Sequence, residues 1–297
     1  MRISSKLWAA ALMLLASPSV SALEIFACEP EYAALARELA PQAKIFSATT
    51  ALQDPHQIQA RPSLIARMRK ADLVICAGAD LEVGWLPMLQ MKANNPQVRD
   101  GQPGIFYAAD QVETLDQQTE LDRSRGDVHA EGNPHLHFSP ERVAQVAEAL
   151  AQRLAQLVPE QASNFLARNE DFQSRWQDAT QRWQQQAAPL RGQAVIAYHS
   201  SFRYLLDWLG MEQVGDLEPK PGLPPTSGHL ASLLELTEQR PVMAILHAGY
   251  QDPRGANWLG TRSGVPVLAL PFGPGDEIED LFALYDAVLA ALLAVAE

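Results

Sequence analysis

Two cysteines in 297 residues, Cys28 and Cys76, are too few and too far apart for a thiolate metal site of the zinc-finger kind, which needs closely spaced pairs of ligands. Positive charge is also scarce. Lys and Arg number 23 against 35 Asp and Glu, a formal net charge of -12, which argues against nucleic acid or an anionic membrane as partner. Beyond the first residues no run is long and apolar enough to span a bilayer. "LFALYDAVLAALLAVA" near the end is too short, carries Asp286, and reads as a packed terminal helix. The chain has no H-E-x-x-H, no G-x-S-x-G and no Gly-rich phosphate loop, so the common sequence signatures of metallopeptidases, serine hydrolases and nucleotide-binding enzymes are missing. It also has no repeats or low-complexity segments.

Residues 1–22, "MRISSKLWAAALMLLASPSVSA", have the anatomy of a secretory signal peptide. Arg2 and Lys6 precede an apolar stretch of about ten residues, and Val20-Ser21-Ala22 offers a cleavage site. The expected product is exported and soluble. Two positive charges leave with the signal, so -12 becomes -14. Cys28 and Cys76 lie in strand-like runs, "LEIFACEP" and "ADLVICAGAD". Neighbouring parallel strands could bring them together for oxidation outside the cytoplasm. Otherwise they are two small buried hydrophobes.

Short apolar runs alternate with helical periodicity. "LEIFAC", "AKIFSA" and "DLVICAG" read as strands, and "EPEYAALARELA" and "SLIARMRKA" as helices between them, an order that implies a parallel sheet. Ser139-Pro140-Glu141 starts a helix with a serine cap and proline in the first turn. Pro159 ends that helix and separates it from a second, long and polar, expected from about Glu160 to Ala188, with Trp176 and Trp183 seven apart on one face as packing anchors. The alternation then resumes through "AVIAYH", "SFRYLLDWLG", "MEQVGDLE", "GHLASLLELTEQR", "PVMAILHA", "DPRGANWLGTRSG" and "VPVLALPF". The expected fold is α/β: two doubly wound lobes joined by one long helix, with a metal site in the cleft. The divisions are a signal at 1–22, an N-terminal lobe at 23–158, a linking helix at 159–188 and a C-terminal lobe at 189–297.

Open α/β sheets bind ligands beyond the carboxyl ends of their strands. Several of the seven histidines fall there. His199 ends "AVIAYH", His247 ends "PVMAILH", His56 comes after "AKIFSATT", and His129, His135 and His137 crowd into "GDVHAEGNPHLH". Three imidazoles plus one further donor suit tetrahedral Zn²⁺, whereas Mn²⁺ prefers carboxylate and water oxygens. Asp54 and Asp127 are placed to orient ring N–H groups. His229, inside "SGHLASLLE", reads as a packing or capping residue.

These segments resemble the solute-binding proteins of zinc and manganese ABC transporters, the cluster A-I or metal-receptor family. "DPHQIQARPSLIARMRKADLVICAGADLEVGWLP" is similar to that family's first ligand segment, "GNPHLHFSPERV" to its second, and "AYHSSFRYLLDWLGME" to its third. "PGLPPTSGHLASLLE" and "YQDPRGANWLGTRSGVPVLALPFG" resemble two further segments nearer the C-terminus. The likeness runs from about residue 24 to the end. It implies two α/β lobes with one long linking helix, no enzymatic activity, and His56, His135 and His199 as metal ligands. It further implies Zn²⁺ as cargo with Mn²⁺ second, a periplasmic location, an ABC permease in the inner membrane as partner, a periplasmic metallochaperone as one source of metal, and a monomer. Pro271 stands where many members carry Asp or Glu, which leaves the fourth place to His247, Asp252, Asp276, Gln251 or water. The long His-rich loop of many zinc-binding members shrinks here to "RSRGDVHAEG", in which only His129 remains. An extended loop would turn His135 and His137 to one side, so that His137 could assist or replace its neighbour. The alternative from another class is a zinc-dependent hydrolase using the same three histidines around an open water position.

Overall fold

The computed structural model describes residues 22–118 and 129–296. The signal-peptide segment through residue 21 and Asp127 lie outside them. Two four-stranded parallel sheets form the frame. The first holds β1 (Glu24–Ala27), β2 (Lys44–Ser47), β3 (Leu73–Cys76) and β4 (Ile105–Tyr107) in the order β2-β1-β3-β4. The second holds β5 (Ala194–Ala197), β6 (Glu212–Asp216), β7 (Ala244–Ala248) and β8 (Val267–Leu270) in the equivalent order β6-β5-β7-β8. Each sheet therefore changes winding direction once, between β1 and β3 or between β5 and β7, and a crevice for ligand opens at such a switch point.

The period-two alternation of side chains decides what each face covers. Phe26, Cys28, Val74 and Cys76 face the outer helices α2 (Pro62–Lys70) and α3 (Leu86–Ala93), and Ile196 and Ile245 face α7 (Ser227–Gln239) and α8 (Arg254–Ser263). The opposite faces enter one continuous core. Ile25, Ala27, Leu73 and Ile75 of the first sheet and Val195, Ala197, Ala244 and Leu246 of the second pack into a single apolar cluster. It also holds residues of α1 (Pro30–Leu39), α4 (Pro140–Leu157), α5 (Ala162–Gln186), α6 (Arg203–Leu209) and α9 (Leu281–Leu293).

Ser139 caps α4 through the Arg142 N–H, with Pro140 in the first turn, as its sequence predicts. The long helix is α5, 25 residues, slightly shorter than the expected span because 3-10 turns at Pro159–Gln161 and Ala188–Leu190 take up both ends. Its buried stripe, Phe165, Asn169, Phe172, Trp176, Ala179 and Trp183, recurs every three or four residues, the helical repeat. Both tryptophans are packing anchors. Trp176 donates to the Pro140 carbonyl at 2.9 Å, and Trp183 donates to Asp286 of α9 at 2.6 Å and stacks on Tyr285.

Two elements have no counterpart in the periodicity. β4 is three residues long, too short to show alternation, and α3 comes after an irregular run of turns beyond Gly78. Cys28 and Cys76, just past the paired Ala27 and Ile75, form a disulfide with Cα atoms 4.8 Å apart.

Candidate metal centre

Four imidazoles converge where the carboxyl ends of the two sheets face each other. His56 lies in the loop after β2, His129 and His135 in the segment between β4 and α4, and His199 two residues past β5. The ring centres of His56 lie 5.4 Å from His129, 5.5 Å from His135 and 5.6 Å from His199, and His135 is 5.9 Å from His199. The donor nitrogens of His56, His129 and His199 all fall within 4.8 Å of one another. A cavity of about 240 Å³ borders the group, lined in part by Asp54, Tyr198, Glu218 and Tyr250.

Each ring is held by its own backbone device. Asp54 accepts from both the backbone N–H and Nδ1 of His56, at 3.0 and 2.8 Å, and Trp85 Nε1 donates to the Pro55 carbonyl at 2.9 Å. Burial alone would raise the Asp54 pKa, but the His56 hydrogen bonds outweigh it and hold this carboxyl below its ordinary value. His199 adopts the left-handed region at φ 63°, which costs a non-glycine residue roughly 1–2 kcal/mol. Its N–H donates to Asp216 at 3.0 Å, and its Nδ1 to Glu218 Oε2 at 2.9 Å. Both rings thus direct Nδ1–H to a carboxylate, which makes Nε2 the lone-pair nitrogen, the arrangement that orients metal-binding histidines.

His135 is 1% exposed, and its Nε2 has no hydrogen-bond partner. Burial first, then the neighbouring histidines, push its pKa well below the ordinary imidazole value, which keeps its lone pair available. A buried orphan nitrogen is costly, and a bound cation would satisfy it.

His137 does not join this group. A 3-10 turn at Leu136–Phe138 replaces the extended geometry expected of "HLH", so residues two apart diverge. Its Nε2 donates to the Phe272 carbonyl at 2.9 Å, and its Nδ1 faces Glu31 Oε1 at 3.2 Å. Burial lowers His137 to about 3 and raises Glu31 to about 8. Burial thus disfavours the charged form of both groups at this contact. Glu29 and Glu82 are buried beside them and raised for the same reason, Glu82 to about 7.

Of the fourth-ligand candidates named from sequence, Asp252 and Gln251 are engaged elsewhere, Asp276 is exposed, and the His247 ring makes no contact with the four imidazoles. His247 Nδ1 bonds the Ala248 carbonyl, Asp252 pairs with Arg254, and Gln251 bridges Ala248 and Tyr198. The Phe272 ring, next to Pro271, packs edge-on against His135. His229 meets its expectation as a packing residue. Thr226 caps α7 through the His229 N–H, and the His229 Nε2 donates to the Asp216 carbonyl.

The profile of the family described as zinc-uptake complex component A, periplasmic, matches residues 25–294. A high-affinity zinc uptake system protein of Yersinia pestis is 24% identical over 201 residues, which cover 63% of this chain and 63% of that relative. The match thus spans less than two thirds of the relative's length. A manganese ABC transporter substrate-binding lipoprotein of Streptococcus pneumoniae is 23% identical over 226 residues, 74% of this chain and 69% of the relative. A crystal structure of ZnuA superposes with a TM-score of 0.80 at 18% identity, covering 93% of this chain and 100% of the other. Zn(II)-bound AdcA from Streptococcus pneumoniae does so at 0.71 and 20% identity, covering 93% and 58%. At such identities the structural likeness establishes the fold.

Proposed function

The chain belongs to the zinc-uptake component A family, and from that premise we propose that it captures one Zn²⁺ between its lobes with His56, His135 and His199 and presents it to an ABC permease of the inner membrane. The observation that carries this reading is the convergence of imidazoles from both halves of the chain, two with Nδ1 already given to a carboxylate and a third with an unsatisfied buried Nε2. Imidazole suits Zn²⁺ better than Mn²⁺. A work site outside the cytoplasm, reached through cleavage near residue 22, accords with the Cys28–Cys76 disulfide. The working divisions are lobes at 23–158 and 189–297 about a linker at 159–188, acting as a monomer that takes metal from solution or from a metallochaperone.

The hydrolase reading is not favoured. Asp54 and Glu218, the carboxylates beside the histidines, both accept from ligand rings, so neither is placed as a general base.

The test is metal analysis and chelator competition on purified protein with His56, His135 and His199 changed to Ala singly and together. Loss of stoichiometric zinc with the fold retained is expected. A triple variant with unaltered zinc affinity would overturn the assignment, and ester or amide turnover by the zinc-loaded protein would revive the enzyme.

A further inference from the structure

We infer that His129 is the fourth zinc ligand, so that the cation sits in an all-imidazole shell closed from the N-terminal side of the cleft. This rests on the proposed site and adds a residue to it. His129 Nε2 lies 3.3 Å from His56 Nε2. Zinc–nitrogen bonds of about 2.0–2.1 Å set the edge of a coordination tetrahedron at about 3.3–3.4 Å. The two nitrogens therefore already stand at the spacing that two ligands of one Zn²⁺ require. A hydrogen bond holds them. His56 Nδ1 donates to Asp54, so its Nε2 accepts and His129 Nε2–H donates. Taking up the cation at Nε2 moves the single His129 N–H to Nδ1, a change of tautomer that leaves the ring neutral.

The position of His129 is built, not incidental. The segment just after it is laced to residues 114–118. Gln118 N–H donates to the Ala130 carbonyl, Thr114 Oγ1 to the Glu131 carbonyl, and Asn133 N–H to the Leu115 carbonyl at 2.7 Å, while Gly132 N–H turns back to the His129 carbonyl. Gly132 has φ +103°, and a Cβ there would collide with the Thr114 side chain, so only glycine allows the close approach. Tyr204 ties the same segment to the second half of the chain by donating to the Asn133 carbonyl at 2.7 Å, and Asn133 donates to the Ser200 carbonyl beside His199. His129 is 8% exposed.

A shell of four neutral imidazoles leaves the site no carboxylate ligand. The two carboxylates act one bond further out, on the Nδ1 atoms of His56 and His199. Such a shell disfavours Mn²⁺, which binds oxygen donors.

Zinc-edge X-ray absorption of the zinc-loaded full chain tests this, together with chelator competition on His129→Ala and His129→Asn. Four imidazoles are expected in the unsubstituted protein and three in either variant, with zinc affinity reduced roughly tenfold or more and the zinc-free melting temperature of the Asn variant preserved. His129→Asp should shift the zinc-to-manganese preference toward manganese. If His56, His135 and His199 variants lose zinc while both His129 variants keep affinity within twofold and the unsubstituted protein counts three imidazoles, the His129 assignment fails and the three-histidine site stands. If the three-histidine variants keep their zinc, both fall.

Discussion

His199 Nδ1 and Glu218 Oε2 lie 2.9 Å apart with both side chains buried, and Glu218 Oε2 also accepts from the Gly222 N–H at 3.0 Å. The carboxylate thereby sets the tautomer and orientation of a ring whose backbone is already confined to a left-handed conformation. Glu218→Ala is expected to lower zinc affinity about 10- to 100-fold without unfolding the protein. Chelator competition beside circular dichroism reads this, and an unchanged affinity would remove the positioning role.

Stability of the zinc-free protein should fall as pH rises from about 6.5 to 8.5. Glu82 and Glu31, raised by burial to about 7 and about 8, contribute stability that is full below the unfolded value of about 4.3 and is lost as pH rises through those folded values. His135 and His137, lowered by burial, act in the opposite direction. Their contribution is full above about 6.5 and is lost only toward acid, for His137 through about 3. Above pH 6.5 these histidines no longer contribute, and the buried glutamates give a downward slope. Melting temperatures across that range should decline, and Glu82→Gln should flatten the decline. An upward slope would contradict the assignment.

Reduction of Cys28–Cys76 should lower stability without removing the metal. The bridge closes a separation of 48 residues, for which chain entropy gives roughly 4 kcal/mol. Denaturant midpoints with and without a dithiol reductant should separate, while zinc remains at one per chain. Coincident midpoints would mean that β1 and β3 hold the pair without the covalent link.

Zinc should close the cleft by only a small rotation. One core runs from the first sheet through α5 and α9 to the second, so a large hinge motion would have to break it. Crystal structures with and without zinc measure the angle, and a lobe rotation of tens of degrees would refute the shared core as a restraint.

Much of this architecture is written locally in the chain. Ser139-Pro140 marks the start of α4, the three-and-four spacing from Phe165 to Trp183 marks α5, and short β-branched runs mark most strands, because caps and periodicities act over a few residues. The placing of His199 just past a strand, of His135 just before a capped helix and of His56 in the loop after β2 is legible for the same reason, and these positions bring the three rings to one cleft. Tertiary structure decided the rest. His137 turns toward Glu31 because three residues close a 3-10 turn, which the motif "HLH" does not reveal. The disulfide depends on β1 and β3 being neighbours. His129 meets His56 across 73 residues of chain, through a glycine turn seated against Thr114 and a hydrogen bond from Tyr204, and no pattern of a few residues can encode a distance set by packing between segments so far apart.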